Sequence, residues 1–264
     1  MAYSLDPDTL RRGIASAAPR GMSTSTRDRA RRLMLAWIDT AIAHRVGAND
    51  LARALRDGQA ARQIAAARRA EIAADPPDAI RNAACAPGCA FCCVLTDEDG
   101  GTISTAEAQA VHAALVPMAG QRDGSDWMHR ACPALDPETR LCRIYDDRPE
   151  ICRSYISTDA AACEINAAGG SAPGGGVIGS HVDFLALLAV SRAAMTGLAQ
   201  VPTFALRDVA AAALNGRDAK EALNAARHPP VMLDRVQSGA ERGRTYSSGS
   251  SSSGEPTRTQ RPPR

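Results

Sequence analysis

Eight cysteines limit what this chain can fold into more than any other feature does. Cys85, Cys89, Cys92, Cys93, Cys132, Cys142, Cys152 and Cys163 fall in one stretch, and the rest of the 264 residues contain none. Such a density marks either a disulfide scaffold or a metal site. Compartment separates the two, because thiols stay reduced in the cytoplasm and pair in oxidising spaces. The opening MAYSLDPDTLRRG has neither the basic start nor the apolar stretch of a secretory signal. The longest strongly apolar run, Phe184–Val190, is far shorter than the ~20 residues a membrane span needs. The expectation is a cytoplasmic protein whose reduced thiols bind metal. Redox dithiols and export-linked disulfides are the alternatives.

Composition sets the frame around that stretch. Roughly one residue in five is Ala and only 3% are aromatic, which favours helices over sheets. A formal net charge of +2 lacks the basic excess of a nucleic-acid or membrane-surface binder, so neither partner is expected. The fold class expected is mainly α, an irregular metal-stabilised cysteine module flanked by amphipathic helices with little or no sheet.

The chain divides into five parts on this reading. Residues 1–84 form an N-terminal arm and helices. The first 26 read as arm, broken by Pro7, Gly13, Pro19 and Gly21. A helix starts near Thr26 and buries Ala30, Leu33, Met34, Trp37, Ile38, Ala41 and Ile42 at helical spacing. A second runs from about Asn49 to Ala74, with Gly58 as a kink or break, and Pro76-Pro77 ends it. A short third helix leads to Cys85. Residues 85–165 are the cysteine module, in which Ser104-Thr-Ala-Glu107 is a capping box opening a helix to about Leu115. Residues 166–180 are a Gly-rich linker. Residues 181–228 hold two helices, near His181–Ala199 and Thr203–Ala226. Residues 229–264 read as a disordered tail rich in Ser, Gly, Pro and Arg.

The thiols fall into two groups by spacing. Cys85-Ala-Pro-Gly-Cys89-Ala-Phe-Cys92-Cys93 is C-x3-C-x2-C-C, with Pro87 and Gly88 supplying a turn that lets nearby ligands converge. Adjacent Cys92 and Cys93 should diverge, so one of them is expected to serve elsewhere. Cys132, Cys142, Cys152 and Cys163 are spread, and become informative only as a second half-site closing on the first. All eight are assigned as metal ligands.

The combined pattern resembles the bacterial cysteine-cluster proteins of YkgJ type, a zinc- or iron-chelating domain. The resemblance rests on C-x3-C-x2-C-C, on CP-x-L from Cys132, on C-x-I-Y-x-x-R-P-x-x-C-R-x-Y from Cys142, and on Ser157-Thr158-Asp159 with Cys163. It implies metal or cluster binding and no particular reaction. Thiolates suit both an iron–sulfur cluster and zinc. A related domain in flagellin lysine methylases brings in protein modification as a distant alternative. Cys85-x3-Cys89-x-Phe91-Cys92 also resembles the cluster motif of radical S-adenosylmethionine enzymes, but those place it after the first strand of a β/α barrel, and this chain shows no alternating strand–helix pattern.

Arg148 and Arg153 flank Cys152. They are expected to pair with Asp146, Asp147 or Glu150 or to donate to thiolate sulfurs; the functional alternative is to hold an anionic substrate or tune a cluster through contacts around its ligands. Tyr145 and Tyr155 are expected to wall the site from solvent. His129, three residues before Cys132, is a spare ligand or a surface residue.

Overall fold

The computed structural model describes residues 6–172 and 181–248. Its centre is a helix that meets almost no water. In α9 (His181–Ala194) the side chains from Phe184 to Val190 are all buried. Around it pack α1 (Pro7–Ser16), α2 (Thr24–Ala43), α3 (Ala48–Arg56), α4 (Gln59–Ala74) and α12 (Val231–Ser248). Each outer helix presents a stripe. Leu51 and Leu55 of α3, Met34 and Ile38 of α2, and Leu10 and Ile14 of α1 lie four residues apart, on one helix face, and are fully buried. Among the described residues, Phe184 is the only buried aromatic of this core, with Trp37 packed at its edge, so its volume is built mostly from aliphatic side chains and alanine.

Helix α1 corrects the reading of residues 1–26 as an arm. Asp6 caps it, its carboxylate accepting from the Thr9 N–H at 2.7 Å, and Pro7 takes the first turn, where no N–H is needed. Gly13 is there for close packing, not for a break: a Cβ at this position would stand 2.8 Å from the Ala194 carbonyl oxygen of α9. Helix α12 corrects the tail in the same way over 231–248. Leu233 is fully buried against the α9-centred core. The rest of the expected tail, 249–264, and part of the expected linker, 173–180, lie outside the described residues.

The other local expectations fare well. Helix α2 begins two residues before Thr26 because Ser23 caps it, and the long second helix breaks into α3 and α4 at Gly58, whose φ is 81°. Helix α5 (Asp78–Arg81) is the short third helix. The capping box forms at α6 (Thr105–Leu115), with Ser104 and Glu107 bonding reciprocally.

A second core sits beside the first. Strand β1 (Thr102–Ser104) pairs antiparallel with β2 (Thr203–Ala205), Ile103 opposite Phe204. Helices α6, α10 (Leu206–Leu214) and α11 (Ala219–Ala225) cover this ribbon. The helix expected over Thr203–Ala226 is therefore a strand and two helices: β2 is claimed by β1, and Asn215-Gly216 ends α10 before Asp218 caps α11. The two cores are joined at Gly58, where a Cβ would lie 2.4 Å from the Ser104 Cβ. The chain thus interleaves: α9 returns to the N-terminal helices, while α10 and α11 pack on the cysteine segment. No helix of the described residues is long and apolar enough to cross a membrane.

Candidate metal centre

Short-range backbone bonds place each cysteine. Ala86-Pro87-Gly88-Cys89 is a turn closed by the Cys89 N–H on the Ala86 carbonyl at 2.9 Å, with Gly88 at φ 81°. Proline second and left-handed glycine third suit a type II turn. A single 3-10 turn, Phe91–Cys93, follows. The chain then meets the second group: the Cys132 N–H donates to the Cys93 carbonyl at 2.7 Å, and Val94 bridges Ala131. Leu135 bridges Cys142 across a turn held by the Asp136 carboxylate, which accepts from the Glu138 and Thr139 N–H groups. Those bonds, the Thr139 ones foremost, pull Asp136 down to about 2.

Cys152 sits on α7 (Glu150–Arg153). This short helix is pinned by Glu107, whose Oε1 accepts the Glu150 N–H at 2.7 Å. The capping-box glutamate thus caps α6 with one oxygen and positions the Cys152 turn with the other. Cys163 rides on α8 (Ala160–Ala167), capped by Asp159, and α8 packs on the Phe91–Cys93 turn. Cys85 is tied to the same region, its sulfur accepting the Ser157 N–H at 3.4 Å.

All eight thiols are free of disulfides and line one cavity of about 750 Å³. Its walls include Phe91, Leu135, Ile144, Tyr145 and Tyr155. The grouping differs from the one read off the spacing. Cys132 is buried in the second core with Cys93, Cys142 and Cys152 packed beside it. Cys85, Cys92 and Cys163 surround Cys89 and act on it electrostatically. The thiols thus form one connected set in which Cys92 acts both on Cys89 and on Cys132, Cys142 and Cys152. The Cys92 and Cys93 thiols do not diverge: they share a hydrogen bond, which holds Cys92 down at about 7 and pushes Cys93 up. Burial, the largest cause, raises Cys132 to about 12 and pushes Cys152 well above the ordinary thiol range, with Cys142 and Cys89 raised in the same way. Among the described residues, no three Cys, His, Asp or Glu side chains converge closely enough to hold a lone ion.

Of the two arginines, Arg148 lines the thiol cavity and Arg153 does not. Both are held by backbone carbonyls. Arg148 lies 3.5 Å over the Tyr145 ring and donates to the Tyr145 carbonyl at 3.0 Å; Arg153 donates to the Arg148 carbonyl at 2.7 Å and to the Asp146 carbonyl. Both tyrosines line the cavity, and the Tyr155 hydroxyl bonds to Cys163. His129 is exposed and away from it. The spacing gave no hint of His181, which reaches the cavity wall from the start of α9 with its Nδ1 buried and unpartnered among the described residues. Burial brings it down to about 4.

A walled cavity presenting eight unpaired thiols is the chemistry a metal-binding module calls for. Residues 84–168 match the CxxCxxCC family model, described as a "putative zinc- or iron-chelating domain". The match spans about a third of the chain; α1–α4 and α9–α12 lie outside it. No curated protein and no solved structure matches the chain.

Proposed function

We propose that the protein carries an iron–sulfur cluster held by four of its eight cysteine thiols, which all line one cavity. One observation carries this reading: the thiols line a common cavity of about 750 Å³ without converging on a point. A multi-atom cluster suits such a space better than a lone ion does. The donor set fits, since thiolates are the usual ligands of iron–sulfur clusters. When bound, such a cluster supplies one-electron chemistry at a potential set by its surroundings.

The chain's own residues define those surroundings. Arg148 places a cation where it acts on Cys92, Cys142 and Cys152. Phe91, Leu135 and Ile144 limit water, and Tyr155 bonds one sulfur. Binding must also displace protons that burial holds on Cys132 and Cys152, so loading and folding are coupled. A cytoplasmic setting fits the free thiols. Zinc is the second reading, since eight thiolates could make two sites of four, the ligand number of a closed structural site. A radical S-adenosylmethionine role is not supported by the surroundings, which are helices and one antiparallel ribbon.

The test is anaerobic purification of the full chain, with iron, zinc and acid-labile sulfide measured beside the visible spectrum. Brown protein with matched iron and sulfide is the expected result. Colourless protein holding only zinc would replace the cluster with the second reading. Metal-free protein with its thiols paired would end both.

A further inference from the structure

A second constellation stands next to the thiols and does not depend on them. On α4, Gln59, Arg62, Gln63, Ala66 and Arg69 fall at steps of three and four and so share one face. That face looks onto Arg148, Glu150 and Arg153, and the eight residues line a cleft of about 210 Å³. Four guanidinium groups therefore meet around one small opening.

Like charges this close repel, and the protein offsets them only in part. Glu150, its side chain 3% exposed, is ion-paired with Arg69. Glu107 acts on Arg62 and Arg69 from below, but its oxygens are taken by the Ser104 N–H, the Ser104 hydroxyl and the Glu150 N–H. Arg148 and Arg153 lean on carbonyls, which satisfy a donor and bring no countercharge. Asp146 and Asp147 do not line the cleft. Four guanidinium charges against two carboxylates leave at least two positive charges in excess.

The ligand that answers this excess is specific in kind. A phosphate monoester carries about −1.5 to −2 at neutral pH and three strong acceptor oxygens. Guanidinium forks match those oxygens in pairs, and the Gln59 and Gln63 amides add neutral donors. A single carboxylate would leave much of the charge unanswered. We propose that this four-arginine cleft binds a phosphoryl group, as inorganic phosphate or as a small phosphomonoester. Two of the arginines, Arg62 and Arg69, lie outside residues 84–168, so the site belongs to the joint between the helical unit and the cysteine segment.

Calorimetric titration of the full chain tests this, with inorganic phosphate, O-phosphoserine and acetate at constant ionic strength. Saturable binding of phosphate or phosphoserine is expected, with acetate weaker by about tenfold or more. Tighter phosphoserine binding assigns a monoester; tighter inorganic phosphate assigns the free ion. Arg62→Gln should weaken the better ligand by about tenfold or more, the loss of one charge-assisted hydrogen bond, with bound metal unchanged. Gln63→Glu is the second variant: it keeps an acceptor for the Trp37 indole N–H, which donates to Gln63 at 2.7 Å, and adds a negative charge to the cleft. It should weaken binding by a similar factor. Absence of saturable binding by both phosphate ligands, or wild-type affinity in both variants, overturns the proposal whatever metal the thiols hold.

Discussion

Helix α9 and the cysteine segment are buried in opposite ways. Along α9, every side chain from Phe184 to Val190 is shut away by aliphatic neighbours. Between residues 121 and 172, Leu135 and Ile144 are the only buried apolar side chains larger than cysteine. That stretch is held by turns, caps and backbone bridges, and its sulfurs face a cavity. The first region has the means to fold on apolar burial alone, at about 25 cal/mol per Å² removed from water. The second has little such area, and a bound metal is what would close it. Two regions of one chain thus illustrate two sources of order.

The largest expected effect breaks the comparison directly. Stripping metal with a chelator should remove an apparent contribution on the order of 10 kcal/mol, the scale of structural thiolate sites. Hydrogen exchange should then show amides of 121–168 losing protection while α9 keeps its own. Equal loss in both regions would mean that the two fold as one unit. Phe184→Ala should do the reverse. It deletes the one buried aromatic of the helical core and should cost about 3–5 kcal/mol in denaturant unfolding, with metal content per folded molecule unchanged. A smaller effect sharpens the contrast through pH. Asp136 has a depressed folded-state pKa, so the stability it confers is complete above its unfolded value of about 3.9 and is lost as pH falls through about 2. Carboxyl carbon NMR should place its midpoint near 2. A midpoint near 3.9 would mean that the Asp136 turn beside Cys142 is not formed in solution.

Local signals in the sequence carried well. The stripe of α2, the Gly58 break, the Pro76-Pro77 stop, the Pro87-Gly88 turn and the Ser104–Glu107 capping box were legible because each depends on residues within a turn or two of one another. The cysteines were legible as a metal-binding set because residue type and spacing carry the donor chemistry. Misreadings came where a distant partner decided. Gly13 reads as a breaker until the Ala194 carbonyl is seen against it. Thr203–Ala205 reads as helix until β1 claims it. The segment after Pro230 reads as tail until Leu233 is found buried. Arg62 and Arg69 were visible as one helix face, but nothing in α4 says that Arg148 and Arg153 lie across from it.

By itself, the sequence determined the helical class, the short-range caps and turns, and the set of eight thiols. Those follow from propensity, from hydrogen bonds a few residues long, and from side-chain chemistry. Only the tertiary structure decided how the thiols meet. Cys92 and Cys93 are neighbours in the chain, and around them the fold gathers Cys89 and Cys163 from one side and Cys132, Cys142 and Cys152 from the other into one cavity. The reason is physical: the backbone bonds from Cys93 to Cys132 and the packing of α8 on the Phe91–Cys93 turn act between segments that sequence spacing alone does not relate.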